Sequence, residues 1–168
     1  VLSQDRDSVS VRAVYQFNDH KGEMAARWQA DYQIFAGGDV RVENNFIKKS
    51  GLPELPRLGM NVQLPKSYSD VEWLGRGPFE NYWDRKLAAR IGRYKNTVSD
   101  HYVPYVRPQE NGNKTDVRWV RLQQHNKGQG LLVQAESTIG FSVHHNLQQD
   151  FAPPNKYSTR TDGEERTH

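Results

Sequence analysis

Val9, Val11, Ala13, Tyr15 and Phe17 alternate with polar Ser10, Arg12 and Gln16. A period of two predicts a strand with one apolar face. After a turn at Asn18-Asp19-His20-Lys21-Gly22, a second run places Ala26, Trp28, Ala30, Tyr32 and Ile34 on one face. Gly37-Gly38-Asp39 reads as a hairpin loop, and Val40, Val42 and Phe46 begin a third strand. Leu58, Met60, Val62 and Leu64 predict a fourth strand, between Pro56 and Pro65. Strands closed by Gly or Pro, with no long 3.6-residue period, argue for an antiparallel sheet.

The middle is less regular. Gly75, Gly77 and Pro78 are hard to fit into a regular element, so Trp73–Arg85 reads as a loop, with a turn of helix at 81–85 and a strand over 88–94. Val117, Trp119, Val120 and Leu122 predict a later strand. Leu131–Ala135 and Phe141–His145 predict two more, separated by Ser137-Thr138-Ile139-Gly140. Beyond Ala152 almost no apolar residue follows, so residues 152–168 are expected to form a polar, loosely ordered tail.

Composition narrows the function classes. The 23 basic and 20 acidic side chains are nearly balanced and form no Lys/Arg block, which argues against a nucleic-acid surface. No apolar run approaches a membrane span, and with no cysteine there is neither a disulfide nor a thiolate site. Aromatics at 11% argue for a folded chain. There is no phosphate-binding glycine loop and no serine elbow.

The densest segment is Trp73-Leu-Gly-Arg-Gly-Pro-Phe-Glu-Asn-Tyr-Trp-Asp-Arg85. On a helical turn Glu80 and Asp84 would share a face, as a glycosidase carboxylate pair must face one sugar bond. Carboxylates beside Arg76 and Arg85 more commonly pin a loop. Tyr102-Val-Pro-Tyr-Val-Arg-Pro-Gln-Glu-Asn-Gly112 is the second dense segment: an extended arm ending in an Asn-Gly turn, with Tyr105, Arg107 and Glu110 as a candidate rim. Rings next to carboxylates and amides also suit a sugar site, with Trp73, Trp83, Tyr105 and Glu110 as candidate sugar-facing groups. His144 and His145 are expected on opposite faces of a strand, one inside and one outside. Side chains on opposite faces are not expected to share one metal ion. His20, His101 and His125 are expected at the surface.

Three segments in order, Leu55–Leu64, Trp73–Arg85 and Tyr102–Gly112, resemble the C-terminal small-chain domain of large bacterial β-galactosidases, glycoside hydrolase family 2. The resemblance covers roughly residues 9–151, within the usual uncertainty of element boundaries. Gly-x-Gly-Pro-x-Glu-Asn-Tyr-x-Asp-Arg is its most specific motif.

The resemblance implies an all-β fold, an antiparallel β-supersandwich of the galactose-mutarotase type, here over residues 1–151. It places the two catalytic glutamates on a separate (β/α)₈ barrel, so no residue of this chain is expected to be catalytic. Gly77 becomes a hinge of an active-site-edge loop whose shape Glu80, Asn81 and Arg85 hold. The chain itself is expected to bind no cofactor and no metal, and the resemblance implies use of Mg and Na ions only for the parent.

The expected partners are a galactoside reached through the parent, the barrel domain and a second copy in a homo-oligomer, but neither nucleic acid nor membrane. A bacterial source is implied, in cytoplasm or periplasm. The family's late strands and a sugar-stacking aromatic find no match after His145, so the sandwich is expected to be incomplete at its C-terminal end. The implied function is scaffold and pocket edge of an enzyme that hydrolyses terminal β-D-galactosides such as lactose. Two readings compete with it: a stand-alone carbohydrate-binding sandwich with Trp73, Trp83 and Trp119 as an exposed platform, and an epimerase needing a buried Glu–His pair.

Overall fold

The computed structural model describes residues 3–4, 6–55, 57–106 and 109–151. The expected tail at 152–168, and Arg107 of the expected rim, lie outside the described residues. The described residues form antiparallel sheet, short 3₁₀ turns and no α-helix. The chain is all-β, and it divides into two compact units, Val1–Gly59 and Met60–His168.

The first unit is one sheet in the order β1-β2-β3-β4, built from β1 (Ser3–Gln4), β2 (Ser8–Asn18), β3 (Met24–Phe35) and β4 (Val40–Lys48). Its register follows from the hydrophobic alternation. Val9, Val11, Ala13 and Tyr15 lie opposite Ile34, Tyr32, Ala30 and Trp28. Trp28, Tyr32 and Ile34 lie in turn opposite Phe46, Val42 and Val40. One slip in register would move this whole apolar set to the other face. Tyr15 packs on Trp28 with ring centroids 5.3 Å apart. Asp19 organises the first turn by accepting the Lys21 and Glu23 amides, and Gly22 supplies a φ of 83°.

The second unit is a sheet in the order β6-β5-β7-β8, from β5 (Tyr68–Gly77), β6 (Arg90–Thr97), β7 (Lys114–Gln124) and β8 (Gly130–Phe141). Its core is Val71, Trp73, Val98, Val117, Val120 and Val143. Trp73 is fully buried, touches Tyr94, His101 and Phe141, and donates its indole N–H to the Arg76 carbonyl at 3.0 Å.

Several expectations from the sequence are corrected. Residues 58–64 form no strand; no neighbouring strand pairs with them, and Leu58, Met60 and Val62 are 54%, 49% and 52% exposed. Alternation alone does not make a strand without cross-strand partners. Gly75 and Gly77 sit inside β5, because the sheet needs their missing side chains: a Cβ on Gly75 would meet Val117 Cγ2 at 2.6 Å, and one on Gly77 the rings of Tyr94 and Trp73 at 2.8 and 2.9 Å.

Residues 81–85 are not helical. Tyr82 and Arg85 exchange backbone hydrogen bonds across a tight turn, so Glu80 and Asp84 share no helix face. The first of the two late strands is longer than expected, β8 running on through Thr138 and Ile139 to Phe141, and the second does not form, because residues 142–145 are not strand. Between Val117↔Ile139 and Trp119↔Gln134, β7 advances two residues and β8 five, so the excess bulges instead of breaking the strand. His144 and His145 lie beyond that strand, and His144 is the buried one.

Candidate active-site edge

The segment after β5 turns back through the Gly77–Pro78 bond, which is cis, and meets the 102–112 arm. Asn81 is wholly buried at the junction. Its Oδ1 accepts the Thr115 amide at 2.9 Å and the Thr115 hydroxyl at 2.5 Å, and its Nδ2 donates to the Phe79 carbonyl at 3.1 Å. Its backbone pairs with Asn113 on both sides: Asn81 N–H donates to the Asn113 carbonyl, and Asn113 Nδ2 to the Asn81 carbonyl, each at 2.8 Å. One amide side chain thus ties the loop to the start of β7 and leaves none of its own polar atoms unpaired.

Glu80 is the junction's charge. It accepts from the Tyr105 hydroxyl, from the Gly112 amide at 2.9 Å and from Arg85 Nη2 at 2.7 Å. Burial pushes its carboxyl pKa up, but these three donors together hold it below the ordinary value. Arg85 also donates to the Tyr105 hydroxyl at 2.8 Å and lies 4.6 Å over the Tyr82 ring. The Tyr105 contact, with the Glu80 contact beside it, raises the guanidinium pKa. The Tyr82 hydroxyl donates to the Glu110 carbonyl at 3.0 Å, and burial raises the Tyr82 phenol pKa, with Glu80 adding to it. Tyr82, Asp84, Arg85, Gln109 and Glu110 line a shallow cleft of about 300 Å³ beside this junction.

A second charged group stands on the same elements. Asp116 accepts from Arg76 Nε at 2.5 Å, with Lys86 Nζ 3.4 Å away. Arg76, with Lys86 after it, keeps this carboxyl's pKa low. Arg76 also donates to the carbonyls of Ala89 and Lys86. The Lys86 ammonium lies 3.9 Å over the Trp83 ring.

The structure therefore brings Glu80, Asn81, Arg85 and Tyr105 together, and Glu110 joins through its backbone. Gly77 leads into the loop, held close by Tyr94 and Trp73. Trp73 is corrected: it is core, with no face open to a ligand, so the Trp73, Trp83 and Trp119 platform does not form. Trp83 is 74% exposed.

His101 is also corrected. It is buried against Trp73, its Nε2 lies 2.8 Å from Asn96 Oδ1, and its pKa is pushed down to about 3 by burial, with Lys114 and His144 adding to it. The epimerase reading needed a histidine on a buried glutamate. His144 instead donates through Nε2 to the Asn111 carbonyl at 2.8 Å, and His145 Nε2 lies 3.2 Å from Ser99 Oγ.

Sequence reasoning passed over Lys114, Thr115 and Asp116, whose roles depend on partners more than thirty residues away or on burial. The Asn-Gly turn was the one visible signal near them. The described residues contain no cluster of three metal-ligating side chains and no helix long and apolar enough to cross a membrane.

Known proteins resemble this chain in sequence. A family described as beta galactosidase small chain matches residues 2–160. The chain is 38% identical over 108 residues to a beta-galactosidase of Priestia megaterium, covering 64% of this chain and 10% of that protein. It is 45% identical over 105 residues to a beta-galactosidase of Vibrio cholerae, covering 61% and 10%. It thus spans about a tenth of the length of the curated relatives it matches.

Proposed function

The chain belongs to the β-galactosidase small-chain family, and from that premise we propose that it is one part of a β-galactosidase, its scaffold and active-site edge. The parent hydrolyses terminal β-D-galactosides such as lactose with retention. The acid/base and nucleophile come from a barrel domain of the same polypeptide, and the parent assembles as a homo-oligomer in a bacterial cell.

The observation that carries this reading is Glu80. A retaining glycosidase needs two carboxyl groups about 5–5.5 Å apart, one of them with a raised pKa so that it can protonate the leaving group. Glu80 has a lowered pKa and three donors on it, and Asp116 is held by Arg76 and Lys86. Both suit fixing a loop. Neither suits proton transfer at neutral pH. The Glu80 junction joins the 78–85 loop to the 102–112 arm, so it sets the shape of the wall they make.

Incubating the 168-residue chain with o-nitrophenyl β-D-galactoside tests this. No hydrolysis is expected; turnover would overturn the reading. Galactose titration followed by tryptophan fluorescence separates it from a stand-alone sugar-binding module. That module lost its platform when Trp73 proved to be core, and the edge reading expects no saturable change from the isolated chain.

A further inference from the structure

Lys114 is 2% exposed, although it stands at the start of β7 next to the edge. Burying an ammonium is costly unless its donors and its charge find partners. No carboxylate among the described residues lies within ion-pair distance of it. Its Nζ donates to the Gly112 carbonyl at 3.1 Å, lies 3.5 Å from His101 Nδ1, and sits 5.5 Å over the Trp73 ring. With His101 Nε2 directed at Asn96 Oδ1, Nδ1 is the accepting nitrogen.

Gly112 is the other half of the arrangement. Its carbonyl faces Lys114 and its amide donates to Glu80 at 2.9 Å. A single residue thus connects a buried cation to the carboxylate that organises the edge. Gly112 has a φ of 73°, and a Cβ there would run into the His101 carbonyl and the His144 ring. The Asn111 carbonyl accepts from His144, so the turn is gripped on both residues from the core side.

We propose that Lys114 is a positioning residue: its buried ammonium holds the Gly112 main chain so that the Gly112 amide meets Glu80, and through that contact it sets the active-site edge. The edge role rests on the function proposed above; the clamp on Gly112 does not.

The groups facing Lys114 are His101 on the Val98–His101 turn, His144 after β8, Trp73 on β5 and Glu80 on the loop. Burial lowers the Lys114 pKa to about 8, with Glu80 drawing it upward. The unfolded chain holds this proton up to about pH 10.5, so this group's contribution to stability rises with pH through the window from about 8 to 10.5. The clamp does the opposite: it loses its charge-assisted bond as the ammonium deprotonates. Global stability and local order at Gly112 therefore move in opposite directions over one titration, which a merely space-filling lysine would not produce.

The test is NMR on the full 168-residue chain between pH 6.5 and 9. The Lys114 Cε resonance and the Gly112 amide proton are expected to titrate with one midpoint, while the Val71 and Val120 amides do not follow it. Lys114→Arg should keep Gly112 protected and remove the inflection. Lys114→Met should speed Gly112 amide exchange at pH 7 at least about tenfold relative to Val71. A flat Gly112 amide while Lys114 titrates overturns the clamp, and so does unchanged exchange in Lys114→Met. If that variant does not fold, the wild-type titration decides. Kinetics of the full-length polypeptide carrying Lys114→Met address the edge separately: an unchanged kcat/KM beside the NMR effects would reject the edge role and leave the clamp standing.

Discussion

In the sheet from Ser8 to Lys48, apolar side chains share one face and the charged ones reach water, as in the exposed Arg12–Asp31 pair. Between Gly77 and Asp116, outside strand β6, a set of polar side chains is buried and hydrogen-bonded instead. The buried polar side chains among the described residues are Asn81, His101, Asn111, Lys114, Thr115 and His144, and all six lie in or beside this segment. A regular sheet satisfies its backbone by its own ladder and needs only an apolar face. An irregular segment has no ladder, so side chains must supply the missing hydrogen bonds. The first arrangement is expected to tolerate change at its exposed polar positions; the second is expected to depend on its buried ones.

Substitutions sharpen that contrast. The largest effect is expected at Trp73→Ala, which empties the core beneath the edge and should cost about 3–5 kcal/mol in urea unfolding of the chain. Acid comes next. The folded-state His101 pKa lies near 3, against 6.5 for the free side chain. Its contribution is therefore complete above pH 6.5 and is lost as pH falls towards 3. At about 1.4 kcal/mol per unit this amounts to a few kcal/mol, and His101→Gln should flatten that part of the pH–stability curve. Asn81→Ala strands the Thr115 amide and hydroxyl and should cost about 2–3 kcal/mol. Arg12→Ala, in the regular sheet, should change stability by no more than about 1 kcal/mol, because its ion pair is open to solvent. If Arg12→Ala costs as much as Asn81→Ala, the contrast between the two regions is wrong.

The same contrast explains what could be read from the sequence. β2, β3 and β4 were legible because Val9 to Phe17 and Ala26 to Ile34 alternate, and alternation is a local property. β5 was hidden by Gly75 and Gly77, which weaken strand propensity and are present only because Val117, Tyr94 and Trp73 come so close. The 58–64 stripe showed the reverse error, a strand pattern with nothing to pair with. At the edge, Glu80 and Arg85 were visible as neighbours in sequence. The roles of Asn81, Lys114 and His101 were not, because the partner of a buried polar group is set by tertiary contact: Asn81 meets Thr115 across the fold, and Lys114 meets His101.

The central claim is that the Glu80 junction shapes a catalytic wall without taking part in the chemistry. Glu80→Gln keeps the size of the side chain and removes its charge, weakening its bonds to Tyr105, Arg85 and Gly112. The most direct measurement is the kcat/KM of the full-length polypeptide carrying this substitution, with o-nitrophenyl β-D-galactoside, across the pH range. A drop of about tenfold, equivalent to about 1.4 kcal/mol of transition-state stabilisation, with the shape of the pH profile retained, is the expected result. An unchanged kcat/KM would contradict the edge role, and loss of one limb of the pH profile would make Glu80 a proton-transfer group after all.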